Sequence, residues 1–232
     1  MKGLFKKIMI DMWKSARREN DENILDLLET DRKAKILDLG CDDGSKTKLL
    51  GEIINSKSLY GIDLNKDALK KAIKIGIIAK RGDLNIKFPF KSNYFDVVHS
   101  NQVIEHLIST DNFISEIYRV LKRQGYAVIS TQNLSSTINL ISLFFGQQAF
   151  SQHISEKYQI GTVFSPHHGE KFKSKFWTHK IIFTYFGLKK IFEIYGFSIE
   201  KMKTSGYFPL PSAFSKIDPI HSHFITLKVR KK

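Results

Sequence analysis

The sequence has 232 residues, which suits one globular domain with added segments and is short for two. Its single cysteine, Cys41, excludes a disulfide framework and a zinc site built from several cysteines. No apolar run approaches the ~18 residues that a membrane-spanning helix needs, so we expect a cytoplasmic protein. The formal net charge of +14 attracts polyanions, but the charges are scattered and form no dedicated tail. The composition therefore permits a nucleic-acid partner without favouring it.

An amphipathic helix is predicted within the first 18 residues. Its apolar stripe consists of Leu4, Phe5, Ile8, Met9, Met12 and Trp13, which recur at the spacing of one helical face. The basic side chains around the stripe are Lys2, Lys6, Lys7, Lys14, Arg17 and Arg18. Such a helix can pack on its own domain, act as a lid, or make peripheral contact with an anionic membrane. A second short helix is expected at 24–28, so that 1–30 is an N-terminal helical segment.

Strand-type and helix-type segments alternate from residue 34 to residue 132. The apolar runs of strand type are 35–39, 58–62, 77–80, 95–99 and 126–130. Strands that alternate with amphipathic helices indicate βαβ crossovers and a mostly parallel sheet. The expected helix caps are Ser45, Asn65 and either Thr110 or Asp111. The third of these helices is expected to run through Leu121 and to end at Gly125.

The pattern changes after residue 132. Residues 133–180 contain no clear strand and are interpreted as an irregular insertion on the substrate side, with a concentration of apolar side chains at 134–145. A helix is predicted at 184–195, followed by strands at 197–202 and 223–229. The predicted fold class is therefore α/β: one domain with a Rossmann-like, doubly wound sheet, mostly parallel with an antiparallel C-terminal strand pair. Within this domain, 34–132 is the predicted cofactor-binding core and 181–232 the C-terminal helix and strands.

A glycine turn follows the first predicted strand. Asp38 lies at the end of the strand, and Gly40 and Gly44 flank the turn before the next helix. Glycines let the backbone approach a ligand closely, and the helix N-terminus offers free amides. The turn lacks the G-x-G-x-x-G spacing of dinucleotide sites, and its acids Asp42 and Asp43 would repel a pyrophosphate. An NAD-dependent oxidoreductase is thus disfavoured, whereas a ligand that carries an amino group is favoured.

The next two strands also end in an acidic residue. Asp63 follows the second strand, where a carboxylate can accept hydrogen bonds from both hydroxyls of a ribose. Asp83 follows the third strand, where a carboxylate can accept from an exocyclic amine while Leu84 flanks the base. The alternative for Asp63 is that it only helps to cap the following helix. Three successive strands that end in aspartate favour a ligand site at this edge of the sheet.

With these three acids in register, the sequence resembles the class I S-adenosylmethionine-dependent methyltransferases, and in particular the small-molecule enzymes that share the D-L-G-C-G-x-G turn. Residues 38–41 and Gly44 match that turn, and Asp42 replaces its middle glycine. Further similarity is found in the segments 88–90, 94–98, 103–106 and 116–125. The resemblance extends from about residue 35 to residue 131. It implies a methyltransferase that uses S-adenosyl-L-methionine as its cofactor.

The resemblance also implies where the cofactor binds. The implied cofactor-binding residues are Asp38, Gly40 and Gly44 at the methionine end, Asp63 at the ribose, Leu64, Asp83 and Leu84 at the adenine, and Asn101 at the closing edge of the pocket. Ligands of open parallel sheets bind outside the carboxyl ends of the strands, which agrees with this placement.

His106 is the predicted catalytic residue. Methyl transfer depends on alignment, and a hydroxyl acceptor also needs a base, for which histidine is suited at neutral pH. The alternative is that His106 only positions the backbone where a helix starts. Some related quinone-pathway O-methyltransferases bind a divalent metal through an E-x-x-E-H segment, but Gln102 replaces the first acid here, and we predict no metal. His167 and His168 are secondary candidates for lining a substrate site.

The sequence does not name the methyl acceptor. The decorated C-terminal half favours a small-molecule or a lipid- or sugar-linked acceptor, methylated on oxygen. The alternatives are an RNA or protein methyltransferase, and a nucleic-acid-binding protein without catalysis on the same scaffold. The oligomeric state is not predicted.

Overall fold

The computed structural model describes residues 2–163, 165–172 and 178–232, with side chains from Lys6 onward. Helix α1 spans Lys2–Asp26. The core elements are β1 (Lys35–Leu39), α2 (Ser45–Ile54), β2 (Ser58–Asp63), α3 (Lys66–Lys74), β3 (Ile78–Arg81), β4 (Phe95–Asn101), α4 (Thr110–Val120) and β5 (Leu121–Gln132). The remaining elements are α5 (Thr137–Phe144), α6 (Tyr185–Ile194), β6 (Phe197–Ser205) and β7 (Phe224–Lys231).

Within the described ranges, seven strands form one sheet in the order β3-β2-β1-β4-β5-β7-β6. The strands β1 to β5 pair in parallel. Strand β7 lies between β5 and β6 and is antiparallel to both. The predicted α/β class, the mostly parallel sheet and the antiparallel C-terminal pair are therefore confirmed.

Both faces of the sheet are covered, as the near-continuous apolar runs of its strands require. On one face, Phe113 and Ile117 of α4 and Leu188 of α6 are fully buried against the sheet. On the other face, Ile24 of α1 and Leu50 of α2 are fully buried. The alternation of strands and helices thus produces three layers, and it leaves the carboxyl ends of β1, β2 and β4 uncovered by the helices.

Helix α1 is a single continuous helix, so the prediction of a second helix at 24–28 was wrong. Met9 and Ala16 are buried, and the helix packs on β6 and β7. Burial against its own sheet extends the helix beyond the predicted end. Met9 and Ala16 therefore agree with the alternative in which the helix packs on its own domain. The side chains of Leu4 and Phe5 lie outside the described residues. No helix in the described part of the chain has the length and apolarity to cross a membrane.

Three predicted helix boundaries differ from the structure. Helix α2 is preceded by Gly44 in a left-handed conformation, and Asp43 rather than Ser45 supplies the side chain that accepts the Ser45 amide. Helix α4 is preceded by Ser109, with no side-chain cap from Thr110 or Asp111.

Helix α4 ends at Val120 instead of running through Leu121 to Gly125, because Leu121 already pairs with Phe95 as the first residue of β5. The caps at Asn65 and Thr184 are present, since both side chains accept hydrogen bonds from amides in the first turn of their helices.

The described part of the insertion contains the helix α5, which was not separated from its surroundings in the sequence analysis. Ile138 packs against Ala16 of α1, whereas Phe144 and Phe145 at the end of the helix are 84% and 64% exposed. In the described part of 133–180, strand-like pairing is limited to the isolated bridges Asn133–Phe183 and Tyr158–Lys171. The predicted irregular character of this segment therefore holds outside α5.

Candidate active site

A cleft of about 1160 Å³ opens at the carboxyl ends of β1, β2 and β4. It is lined by eight of the nine residues predicted for the site: Asp38, Gly40, Asp63, Leu64, Asp83, Leu84, Asn101 and His106. The ninth, Gly44, faces the interior, because a Cβ built on it would lie 2.3 Å from Cδ1 of Ile77. Gly44 thus shapes the turn and does not line the cleft. The cleft exceeds the ~300–1,000 Å³ of ordinary small-molecule sites, so it has room for two ligands.

The glycine turn carries two left-handed residues that line the cleft. Gly40 has φ 78°, and a Cβ on it would lie 2.6 Å from Cγ2 of Val103, so only glycine fits there. Asp42, which replaces the family glycine, has φ 46°. Aspartate is one of the residue types that tolerate this conformation, so the backbone of the turn survives the substitution. Burial, then the nearby Asp43 and Asp63, raise the pKa of Asp42.

Asp38 is buried at the end of β1, and its carboxylate is engaged inside the protein. Its Oδ2 accepts a hydrogen bond from Oγ1 of Thr47 at 2.5 Å, and its Oδ1 accepts from Nδ1 of His99 at 2.7 Å. These contacts tie β1 to α2 and β4 directly beneath the glycine turn. We therefore interpret Asp38 as a residue that positions the turn for the methionine end of a cofactor.

Asp63 and Asp83 present carboxylate oxygens to the cleft. Oδ2 of Asp63 accepts the Asp42 amide at 2.9 Å and Oδ1 accepts the Asn65 amide at 2.8 Å. Each carboxylate oxygen keeps a second lone pair for a ligand hydroxyl. Oδ1 of Asp83 accepts both nitrogens of Asn85. Both acids are thus held rigidly by neighbouring residues before any ligand binds.

Leu64 and Leu84 flank these acids from two sides. Leu64 is 40% exposed in the cleft wall, whereas Leu84 is buried and belongs to the core. The pair places apolar surface beside carboxylates, the combination that a purine attached to a ribose requires.

Helix α1 contributes to the cleft, which the sequence did not predict. The amide of Asn20 donates to Oδ1 of Asn101, and Nδ2 of Asn101 donates to Asp21. Asp21 also pairs with Lys46 at 2.6 Å, and Arg17 lines the cleft one turn earlier. Asn101 is therefore fixed by α1 at the edge of the cleft. Arg17 and Asp21 are four residues apart, so a helix places them on one face. Nothing in the neighbouring residues indicates which face of α1 contacts the sheet.

His106 lies in the cleft wall at the end of a short 3-10 turn (Ile104–His106) after β4. Its Nδ1 donates to the carbonyl oxygen of Thr178 at 3.1 Å, so the lone pair of the neutral ring is on Nε2. Burial lowers the pKa of His106, which keeps the ring neutral. The centroid of the His106 ring lies 4.8 Å from that of His179, with the ring planes tilted by 58°, and the His179 centroid lies 4.8 Å from that of His153. The insertion thus supplies two further imidazoles that the sequence did not connect with the site.

Glu105, His106 and His179 bring three donor atoms within 4.8 Å of one another, which a metal ion would require. In the present hydrogen bonding, Nε2 of His179 accepts from Gln132, and Oε2 of Glu105 accepts from Thr131. Complete burial raises the pKa of Glu105 to about 7, so the carboxyl is readily protonated. The absence of a metal therefore stays a prediction, since these three residues form a possible donor set beside the cleft.

The histidines His167 and His168 and the cysteine Cys41 lie in different surroundings. His167 pairs with Glu170 on an exposed part of the insertion, and neither His167 nor His168 lines the cleft. Cys41 is buried against Gly61, where an added Cβ would lie 2.5 Å from its Sγ. Burial, with Asp38 and Asp63 nearby, raises the pKa of Cys41 to about 12, so the thiol stays protonated and is a poor nucleophile.

The open sheet, its glycine turn and the aspartates after three strands define the class I methyltransferase architecture. The methyltransferase domain family matches residues 12–201 of this chain, and the chain belongs to that family. The resemblance found in the sequence is thereby confirmed. A solved S-adenosylmethionine-dependent methyltransferase of Thermotoga maritima has the same fold, with a TM-score of 0.64 and 17% identity over 99% of both chains.

Two of the curated relatives match about half of this chain. The mitochondrial ubiquinone biosynthesis O-methyltransferase of Bos taurus is 30% identical in an alignment of 123 residues that covers 49% of this chain and 33% of that protein. The malonyl-[acyl-carrier protein] O-methyltransferase of Marinomonas sp. is 27% identical in an alignment of 135 residues that covers 54% of this chain and 48% of that protein. The chain thus spans between about a third and a half of the length of these relatives.

Proposed function

We propose that the protein transfers a methyl group from S-adenosyl-L-methionine to an oxygen atom of a small-molecule or a lipid- or sugar-linked acceptor. The observation that carries this proposal is the convergence of Asp63, Asp83 and the left-handed Gly40 turn on one cleft at the carboxyl ends of parallel strands. Family membership supports the reaction class. The names of the two O-methyltransferase relatives support oxygen as the acceptor atom.

The residues of the cleft fit the cofactor. Asp63 would accept from the ribose hydroxyls with the lone pairs that its two backbone partners leave open. Asp83 would accept from the adenine amine, and Leu64 would pack against the base. The missing Cβ of Gly40 leaves room for the methionine chain, and Asp38 would hold the turn in place through Thr47. When bound, the cofactor supplies an activated methyl group on a sulfonium.

His106 would act on the acceptor. Because Nδ1 donates to the Thr178 carbonyl, Nε2 is available to take the proton of an acceptor hydroxyl as the oxygen attacks the methyl carbon. His106 would hold this proton on Nε2 until it passes to solvent. The rest of the rate enhancement would come from alignment of the two ligands in one cleft.

Calorimetry with S-adenosylhomocysteine tests the cofactor site. We expect wild-type protein to bind it and Asp63→Ala to bind it about 10- to 100-fold more weakly, because a charged hydrogen-bond acceptor is lost. Asp67→Ala is the matched control, since Asp67 is exposed on α3 and pairs only with Lys70. Wild-type protein that binds no S-adenosylhomocysteine would contradict the proposal.

A methyl-transfer screen tests the acceptor and the base. Cell extract is incubated with protein and labelled S-adenosyl-L-methionine, and the products are identified by mass spectrometry. We expect labelled small molecules, and we expect His106→Ala to lose most product formation while it keeps its affinity for S-adenosylhomocysteine. Label confined to RNA or protein would overturn the small-molecule proposal. Loss of activity on metal chelation, with metal bound in wild type and absent in His179→Ala, would assign His106 to metal binding instead.

A further inference from the structure

A second cleft, of about 630 Å³, lies at the edge of the sheet between β3 and the loop that joins β3 to β4. Tyr60 and Phe90 are among the residues of its apolar, aromatic lining, and Lys80, Lys87 and Lys91 are its basic residues. None of these residues lines the candidate active site. The second cleft is therefore a separate site, and the proposed methyl transfer makes no use of it.

The lining of this cleft carries a net positive charge from its three lysines, of which Lys87 also interacts with the carboxylate of Glu116 on α4. All three are exposed, and no acidic residue lines the cleft. The ion pairs formed among the described residues include none of the three ammonium groups. Nζ of Lys80 donates to the Pro89 carbonyl at 3.1 Å and lies 4.8 Å from the Phe90 ring, so its position is fixed. Such a cleft attracts an anion.

The loop that carries Lys87 and Lys91 is held in place by α4. The guanidinium of Arg119 donates to the carbonyl oxygens of Phe88 and Phe90 at 3.2 and 2.9 Å. Oε2 of Glu116 accepts the Phe88 amide at 2.7 Å. Because these contacts order the backbone in advance, a ligand would lose little affinity to ordering of the loop.

The aromatic lining gives the cleft flat apolar surfaces and the hydroxyl groups of two tyrosines. Tyr60 contacts Phe90 edge-to-face with ring centroids 5.9 Å apart. The hydroxyl groups of Tyr60 and Tyr94 lie 3.1 Å apart, and Lys35 lies over the Tyr94 ring at 3.9 Å. Aromatic walls favour a planar ligand, and the hydroxyl pair offers it hydrogen bonds.

We propose that the second cleft binds a planar ring that carries phosphate, the chemistry of a nucleotide. Lysine ammonium groups bind phosphate as point charges. The volume lies within the ~300–1,000 Å³ of sites for small molecules. A free nucleotide and a nucleotide within a single strand of nucleic acid share this chemistry, and the net charge of +14 is compatible with either source.

Calorimetric titrations with ADP and with single-stranded oligo(A) and oligo(U) test the proposal. They are done with S-adenosylhomocysteine in excess, which blocks the active-site cleft against adenosine groups. We expect wild-type protein to bind ADP or an oligonucleotide. We expect the triple variant Lys80→Ala/Lys87→Ala/Lys91→Ala to bind at least about tenfold more weakly, because each lost charge-assisted contact weakens binding several-fold.

A second triple variant, Lys190→Ala/Lys201→Ala/Lys216→Ala, is the control, since it removes the same charge from exposed positions elsewhere. Tighter binding of ADP identifies the free nucleotide as the ligand, and tighter binding of the oligonucleotides identifies a strand. No binding by wild type, or an equal loss in the two triple variants, would overturn the proposal. If S-adenosylhomocysteine itself does not bind, the proposed function fails separately, and ADP titration of Asp63→Ala reports on the second cleft alone.

Discussion

Asp42 occupies a left-handed position, φ 46°, in the turn where the family has glycine. Alanine is strained in this conformation because its Cβ crowds the backbone carbonyl, whereas glycine adopts it without strain. We expect Asp42→Gly to be at least as stable as wild type, because it also removes the repulsion by Asp43 and Asp63. We expect Asp42→Ala to be less stable than Asp42→Gly by about 1 kcal/mol. Urea unfolding of the variants, with Asp42→Asn as the uncharged reference, measures the order, and equal stability of Ala and Gly would show that the turn relaxes.

His223 is a histidine among phenyl rings, completely buried 4.8 Å from Phe208 and 4.6 Å from Phe224 by ring centroids. Among the residues that the structure describes, neither of its ring nitrogens has a hydrogen-bond partner, and burial lowers the pKa of His223 to about 3. The folded protein therefore keeps this ring neutral, while the unfolded chain takes up a proton near pH 6.5. Stability from this residue is present above pH 6.5 and is lost as the pH falls towards 3.

We expect His223→Leu to reduce this acid lability. Between pH 6 and pH 4, the free energy of unfolding of wild type should fall more steeply than that of the variant, by roughly 1 kcal/mol for each unit of pH. His168→Leu, at an exposed position, should keep the wild-type slope. Parallel curves for wild type and His223→Leu would show that the buried ring is protonated in the folded protein.

The prediction of individual site residues succeeded where a residue lies at the carboxyl end of a strand. Asp63, Asp83 and Gly40 could be placed in one cleft from sequence, because the ends of parallel strands meet at one edge of a sheet. The positions of His179 and His153 could not be predicted, because they belong to an insertion without hydrophobic periodicity. The folded chain brings their rings close to His106, and no local pattern indicates this contact.

At the scale of elements, Asn20 fastens α1 to the rest of the fold. Its Oδ1 accepts from Ser130 of β5 and Thr226 of β7, and its Nδ2 donates to Asn101 at the cleft. Asn20→Ala would leave these buried partners unsatisfied, and we expect a loss of about 1–3 kcal/mol of unfolding free energy. We also expect weaker binding of S-adenosylhomocysteine, because Asn101 loses its support.

Asn23→Ala provides the control for this effect, since Asn23 lies on the same helix but donates to the Thr204 carbonyl, away from the cleft. We expect Asn23→Ala to keep the affinity for S-adenosylhomocysteine in calorimetry. Equal losses of affinity in the two variants would show that α1 affects the cleft only through global stability.

The elements that prediction missed are those whose limits are set by neighbours. The hydrophobic pattern of α4 predicts a helix through Leu121, but Leu121 pairs with Phe95 and is the first residue of β5. Helix α1 continues to Asp26 because Ile24 is buried against the sheet. Local propensity decides that a helix or strand exists, whereas tertiary contacts decide where it stops.

At the scale of the molecule, the mostly parallel sheet could be predicted, because strands alternate with helices along the sequence and the crossovers between parallel strands are right-handed. The order of the C-terminal pair within that sheet, with β7 rather than β6 next to β5, could not be predicted, because the pairing partner of β7 lies about a hundred residues earlier in the chain. The register from Tyr126–Arg230 to Gln132–Phe224 has no local signal in either strand.

The position of β7 has a consequence for how the chain folds during synthesis. β7 is made after β6, yet it lies between β6 and β5. Until residues 224–231 leave the ribosome, β5 keeps a bare edge of unpaired amides and carbonyls, and β6 has no strand to join. Bare edges recruit other chains, and contacts between distant residues form slowly. We therefore expect the parallel half to form first, and the edge of β5 to be open to pairing with other chains until β7 occupies it.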